Sequence, residues 1–451
     1  MRVQSWLERS AERRPEHVAV ESAGGAISYA QLLWGATLGA ERLAALGVRP
    51  QQRVALALPA GIDFAIALHA ILLAEAIAVP IDLRLSDEER KQRSAGCVVS
   101  IEQPLAHAPQ QAPTLSARTH DLDAVAIEIF TSGTSARPKP VALTYRNILF
   151  ATLGSAVAIG CEPHDRWLCV MPLAHIGGLS ILLRSAICST TAVVHERFAT
   201  EPVLTALREE RITVVSLVAT MLGRLLERGL RQPPSLRCAL IGGGPVGEDL
   251  LSTAREAGVA VRVTYGMSES CAQAATEPVA DPGGGARPLF CTRVRIAADG
   301  EILLAGPTIA PGALSEDGWL HTGDLGALDA DGRLQVRGRI SETIISGGEN
   351  ISPEEVEAVL ARHPEVLEAA VIGRPDQQWG EAVCAVVVPV AGFMPAEREL
   401  RAHCSRQLAP FKVPKAFAIS DRPLPRTASG KLLRRQVQAP EPERAPAEGG
   451  R

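Results

Sequence analysis

Two periodicities alternate along most of the chain. Short apolar runs rich in Val, Ile and Ala occur at Val54–Leu58, Ile77–Ile81, Trp167–Met171, Ala192–His195, Val214–Leu217, Cys238–Ile241 and Val261–Tyr265. Several are separated by amphipathic stretches of helix length, such as Glu201–Glu209 and Pro245–Ala257. Such strand–helix alternation predicts parallel sheets covered by helices, an α/β fold. From about Pro288 the pattern shortens to strands with turn signals at Val294–Ala298, Glu301–Ala305, Leu325–Leu328 and Leu334–Arg337.

A smaller mixed unit is predicted after Arg339. Its helix spans Ser352–Arg362, with Ser352 as N-cap, Pro353 at the first helical position, Glu355 closing a capping box, and Val356, Val359 and Leu360 on one face. Strands at Ala370–Ile372 and Val383–Val388 and a helix at Ala396–Leu408 complete it. Residues 104–118 read as a surface loop, and the Pro/Glu/Ala-rich tail after Gln438 as disordered. No repeat period of about 20–50 residues is present.

Composition narrows the function classes. At 451 residues the chain is long enough for about three structural units. A net charge of −4 provides no global basic field for nucleic acid or anionic lipid, and 4% aromatic content argues against base-stacking platforms. Nine dispersed cysteines form no CxxC pair or zinc spacing, which points to reduced thiols in a cytoplasmic setting. The N-terminus lacks an apolar signal region. The most apolar stretch, Val54–Leu83, is interrupted by Pro59, Asp63, His69, Glu75 and Pro80, so no membrane span is expected. Without heptads the sequence does not fix the oligomeric state, and a homo-oligomer stays among the options.

Six segments carry candidate chemistry. Thr131-Ser132-Gly133-Thr134-Ser135-Ala136-Arg137-Pro138-Lys139 follows an apolar strand, Ala124–Phe130, and precedes a helix beginning near Thr144. Its hydroxyls, glycine and cations could wrap a polyphosphate, although it is not a Walker A loop. In Thr264-Tyr265-Gly266-Met267-Ser268-Glu269-Ser270, Glu269 is suited to Mg²⁺, which takes one or two carboxylates plus phosphate oxygens. Leu240–Pro245 places Gly242, Gly243 and Gly244 at a strand end, where a flat ring could approach the backbone. Asp324, in His321–Gly326, could accept from ribose hydroxyls. The last two segments are Gly338-Arg339 with Ile344–Asn350, and Pro425–Lys431, which ends in a loop lysine. Taken singly, each also reads as an ordinary turn or a solvated side chain.

In this order the six resemble the adenylate-forming superfamily of acyl-CoA synthetases, luciferases and peptide-synthetase adenylation domains, over roughly Ser5–Arg435. The resemblance implies a large N-terminal domain (1–338) of two doubly wound α/β subdomains plus a distorted β-barrel. A small mobile α+β C-terminal domain (339–436) and a disordered tail (437–451) would follow. It also implies a carboxylic acid, ATP and coenzyme A as substrates, with Mg²⁺ as cofactor. By position, Thr131, Ser132, Gly133, Thr134 and Lys139 match the β- and γ-phosphate loop. Gly243, Gly244, Tyr265 and Gly266 match the adenine side, and Ser268 the α-phosphate hydroxyl. Glu269 matches the metal ligand, Asp324 and Arg339 the ribose contacts, and Lys431 the adenylation lysine. Ser346, Gly347, Gly348 and Glu349 match the segment that lines the pantetheine path.

Met171–Ser180, Met221–Arg228, Ser235–Pro245 and Tyr265–Gln273 look like the o-succinylbenzoate–CoA ligase subgroup of menaquinone biosynthesis. The resemblance places His175, Arg184, Gly266 and Ser270 at the acid, with Arg184 toward a second carboxylate. Other aryl or medium-chain acyl-CoA synthetases, and a non-catalytic nucleotide-binding relative, stay open as alternatives. Departures from the family pattern are Ala136 and Pro140 in place of glycine, Ser268 in place of Thr, Ala174 in place of an aromatic and Ser341 at the expected hinge.

Overall fold

A computed structural model describes residues 1–105, 118–131, 139–346, 349–376, 379–427, 430 and 432–438. The chain divides into two compact units. The first comprises Met1–Arg295, Leu303–His321 and Ala330–Leu334; the second comprises Ile296–Ile302, Thr322–Asp329 and Gln335–Arg451.

The first unit holds two sheets of the expected α/β kind. In the five-stranded sheet the order is Val99–Ile101, Arg53–Leu56, Ile77–Pro80, Val125–Thr131 and Lys139–Thr144. The first four strands are parallel, and the last returns antiparallel. The nine-stranded sheet has a parallel centre, ordered Val261–Tyr265, Cys238–Ile241, Val214–Leu217, Arg166–Cys169, Thr191–Val194 and Val18–Ser22. Because these strands are parallel and in register, their C-terminal ends open on one edge. The loops after Cys169, Ile241 and Tyr265 therefore emerge side by side, where ligands gather in open α/β sheets.

Helix ends follow local sequence chemistry. Ser28 and Gln31 form a reciprocal capping box for the helix Tyr29–Ala45. Thr144 and Asn147 do the same for Tyr145–Ile159. A strand, Lys139–Thr144, stands between the hydroxyl-rich loop and this helix, so the loop joins two antiparallel strands instead of leading directly into a helix. Side-chain oxygens sit near backbone N–H groups at such caps whatever the tertiary context, which is why the helix start was legible and the β-return was not.

The second unit pairs the hairpin Val366–Asp376 and Gly380–Pro389 with Ile344–Ser346 and Ala416–Ile419, and packs the helices Pro353–Leu360 and Glu397–Ser405 against it. The predicted capping box at Ser352 does not form. Ser352 Oγ instead donates to the Arg337 carbonyl and to Glu354, at 2.9 Å each, while Lys412 Nζ takes Glu355 at 2.7 Å. Val356, Val359 and Leu360 are buried, as the periodicity requires. Among the described residues no helix is long and apolar enough to cross a membrane.

Candidate active site

The segment Tyr265–Ala272 is built to hold one conformation. Ser268–Ser270 forms a single 3₁₀ turn, and Cys271 and Ala272 follow with φ of 55° and 82°. Two successive non-glycine residues in the left-handed region are costly, on the order of 1–3 kcal/mol each, and such strain gathers at functional sites. The fold-back explains Gly266, where a Cβ would lie 2.1 Å from the Ala272 carbonyl oxygen. Ser270 is fully buried. Its hydroxyl accepts from Met267 N at 3.0 Å and donates to Met267 O at 3.2 Å, so it shapes the turn.

Glu269 sits in this turn half-exposed, with its backbone carbonyl accepting from Ala310 N at 2.8 Å. Among the described residues its carboxylate has no ion-pair partner, and no cluster of three or more potential metal ligands exists. One unpaired carboxylate fits Mg²⁺, whose shell is completed by phosphate oxygens and water.

Asn147, which carried no signal in the sequence, supports this turn from behind. It is buried, and its amide donates to the carbonyls of Pro307 and Ile309 at 2.9 and 2.8 Å, just before Ala310. At the end of the strand Cys238–Ile241, Gly243 takes φ 82°, and Gly242 allows the close approach of Thr264, whose Cγ2 would lie 2.7 Å from a Cβ there. Thr131 Oγ1 donates to the Lys139 carbonyl at 3.3 Å across the hairpin that closes the hydroxyl-rich loop. Ser132, Gly133 and Thr134 lie outside the described residues.

His175 is the N-cap of the helix Ile176–Cys188. Its Nε2 stands 3.8 Å from Asp82 Oδ2. Burial works against ionisation of Asp82, but hydrogen bonds from Arg84 N (3.0 Å) and Nε (2.8 Å) outweigh it and keep the carboxyl below its usual range. Burial, with Arg84 and Arg93 nearby, holds the His175 imidazole below its ordinary value despite Asp82, so the ring is neutral at pH 7. Asp82 and Arg84 had no sequence signal, because their relation to His175 is purely spatial.

Arg184, on the same helix, is 5% exposed. Its guanidinium lies over the Trp167 ring, 5.4 Å from the centroid, and Nη2 makes no hydrogen bond. Burial pushes its pKa down to about 10. The gap beside it, lined by Ile148, Ala151, Thr152, Ser180, Leu183 and Cys271, is too narrow to hold a water molecule. A buried guanidinium with an unused donor and no carboxylate partner among the described residues is costly by itself.

In the second unit Asp324 and Arg339 form an ion pair, Nε to Oδ1 at 2.7 Å. Thr322 and Glu301 shape the turn before them, Glu301 Oε1 accepting from Gly323 N at 2.8 Å and Thr322 Oγ1 from Asp324 N at 3.0 Å. Ser346 is buried at the end of the strand Ile344–Ser346, opposite Glu349 in the register. Gly347, Gly348 and Lys431 lie outside the described residues. Arg434, three positions beyond Lys431, pairs with Glu342, with Glu354 at 3.2 Å and with Glu357 at 2.7 Å, and so anchors the end of this segment. It was not legible beforehand, because its partners lie about 80–90 positions away.

The chain matches the sequence profile of the AMP-binding enzyme family over residues 7–113 and 92–314, and that of the AMP-binding enzyme C-terminal domain over 355–431. It belongs to this family of adenylate-forming α/β enzymes. More particularly, it is similar to 2-succinylbenzoate–CoA ligase of Bacillus licheniformis, 38% identical over 96% of this chain and 99% of that protein. Among solved structures, o-succinylbenzoate–CoA synthetase from Bacillus subtilis with its acyl-adenylate intermediate has a TM-score of 0.88 at 35% identity, covering 98% of this chain and 100% of that one. The same enzyme with ATP and a magnesium ion gives 0.88 at 36%, covering 97% and 99%.

Proposed function

We propose that this protein is an ATP-dependent acid–thiol ligase that joins 2-succinylbenzoate to coenzyme A through an acyl-adenylate, in the cytoplasm. The observation that carries the reading is the end-to-end similarity to 2-succinylbenzoate–CoA ligases, with the AMP-binding motifs in order along the chain. In the first half-reaction an acid carboxylate oxygen attacks the α-phosphorus of ATP and pyrophosphate leaves. In the second, the coenzyme A sulfur attacks the acyl carbon and AMP leaves.

The residues divide the work by charge. Thr131, Ser132, Gly133, Thr134 and Lys139 take the β- and γ-phosphates, and Ser268 the α-phosphate. Glu269 would hold Mg²⁺, which supplies charge neutralisation where two anions must meet. Lys431 bridges the acid carboxylate and α-phosphate during adenylation, while Ser346–Glu349 serve the thiol half-reaction. Gly243, Gly244 and Tyr265 face the adenine, and Asp324 and Arg339 the ribose; the preformed ion pair between the last two supports a shared ribose role. Neutral His175 packs beside the substrate ring. Arg184 receives the second carboxylate, a role supported by its burial and unused donor, and one that requires the narrow gap beside it to open when the acid binds.

The test is ATP–pyrophosphate exchange with o-succinylbenzoate, benzoate, 4-coumarate, octanoate and no acid. Exchange that depends on o-succinylbenzoate alone is expected. Exchange with a monocarboxylate instead would keep the ligase and discard the dicarboxylate assignment, whereas silence with every acid favours a nucleotide-binding relative without catalysis. Lys431→Ala should abolish exchange yet leave thioester formation from supplied acyl-adenylate largely intact; equal loss in both would remove its assigned role.

A further inference from the structure

Asn147 is 2% exposed, and every hydrogen bond its carboxamide can make is made. Oδ1 accepts from Thr144 N at 2.8 Å and from Thr144 Oγ1 at 2.9 Å, while Nδ2 donates to the carbonyls of Pro307 and Ile309 at 2.9 and 2.8 Å. The reversed amide would set its NH2 against the Thr144 N–H and its oxygen against two carbonyls, so the network admits one orientation. Capping the helix Tyr145–Ile159 needs only the bond from Thr144 N. The two bonds donated by Nδ2 do nothing for that helix, and they reach 160 and 162 positions along the chain.

Those bonds hold the segment 306–310, which is fastened on its other sides as well. Gly306, at φ 129°, runs so close to Cys291 that a Cβ there would lie 2.4 Å from the Cys291 carbonyl oxygen. Thr308 is fully buried, its Oγ1 3.0 Å from Thr292 Oγ1, and Ile309 N donates to the Gly306 carbonyl at 3.1 Å. Buried Ala310 then donates its N–H to the carbonyl of Glu269 at 2.8 Å. Thr144 is the last residue of the strand Lys139–Thr144. One buried side chain therefore ties the strand that begins at Lys139 to the segment that carries the turn of Glu269.

We infer that Asn147 is a positioning residue for the magnesium ligand Glu269, holding its turn in fixed relation to the strand of Lys139. The inference rests on the ligase reading, which gives Mg²⁺ to Glu269 and the β- and γ-phosphates to Lys139. Mg²⁺ demands near-ideal octahedral geometry at about 2.0–2.1 Å, so a ligand turn that shifts by a few tenths of an ångström loses it. Groups that orient a metal ligand from behind are typically worth about 10–100-fold in metal affinity.

Isosteric substitutions separate this tether from the helix cap. Asn147→Asp keeps the oxygen that accepts from Thr144 but turns the donor toward Pro307 and Ile309 into an oxygen facing two carbonyls. Asn147→Ser removes the same donors without adding a charge, and serves where aspartate unsettles the fold. Thr144→Val removes the hydroxyl side of the cap and leaves both Asn147 donors in place.

The measurement is calorimetric titration of the full-length protein with ATP and no acid, once with excess magnesium chloride and once with EDTA. Melting temperatures are recorded alongside. The parent should bind ATP more tightly with magnesium. In Asn147→Asp and Asn147→Ser, Kd with magnesium should rise about tenfold or more, while Kd in EDTA stays within about twofold. Thr144→Val should melt lower and keep the magnesium gain. A Kd that rises equally with and without magnesium, or equally in Thr144→Val, would make Asn147 a prop of the fold and overturn the inference. So would a magnesium gain retained in both Asn147 variants. The parent titration tests the ligase reading separately: a parent that gains nothing from magnesium fails that reading of Glu269 and the inference with it, whereas a gain kept by the variants fails the inference alone.

Discussion

Replacing Arg184 by methionine should move stability and substrate affinity in opposite directions. The structure gives the magnitude. A fall of the guanidinium pKa from 12.5 to about 10 means that burial disfavours the charge by about 3 kcal/mol, at about 1.4 kcal/mol per pH unit. The stack on Trp167 returns about 0.5–2 kcal/mol. Methionine keeps most of the apolar volume, at a packing cost below about 1.5 kcal/mol. The ligand-free protein should therefore be no less stable as Arg184→Met, with a melting temperature unchanged or a few degrees higher. Acid binding should suffer, because truncating one side of a buried charge pair costs about 2–5 kcal/mol. At about 3 kcal/mol, KM for the dicarboxylate rises roughly 100-fold while KM for ATP stays within about twofold. Differential scanning fluorimetry without ligands and pyrophosphate exchange against acid concentration read the two quantities separately. A melting temperature several degrees lower with KM unchanged would refute the reasoning, and would make Arg184 a strut of the core.

Arg434→Ala should leave Glu342, Glu354 and Glu357 without their shared cation, costing the second unit about 3–5 kcal/mol, read by chemical denaturation. Because Arg434 anchors the chain just after Lys431, exchange should fall as well; full activity in a destabilised protein would separate the two roles. Burial holds His69 down to about 4, and burial, with His69 and Arg2 nearby, holds His120 down to about 3. The unfolded chain takes up these protons near pH 6.5 and the fold refuses them, so stability is complete above that pH and falls as pH drops toward 4. At pH 5 the loss is about 2 kcal/mol for each histidine. A urea midpoint that stays constant between pH 7 and pH 5 would contradict this, and His120→Phe, which keeps the stack on Tyr145, should flatten the slope.

The chain's local grammar was legible before any coordinates. Strand runs at Ile77, Trp167, Val214 and Cys238 lie within one or two residues of the observed strands, because a buried strand must be apolar along its own length. The glycine at 266 was visible as part of a motif. The reason for it, a carbonyl 2.1 Å from where a Cβ would be, was not. At the Ser352 cap and at the β-return after Lys139, the neighbouring strand or turn offers a better partner than the helix cap that local residue types favour.

What the sequence determined by itself was the α/β class, the order of the elements and the residues able to carry charge and phosphate chemistry, since periodicity and residue type are properties of short stretches. What only the tertiary structure decided was which groups meet. Asp82 faces His175, Asn147 supports the chain behind Glu269, and Arg434 gathers three glutamates. The physical reason is that desolvation and hydrogen bonding act on distances in space. A buried cation such as Arg184 is indistinguishable from a surface one until the helices that exclude water from it are in place.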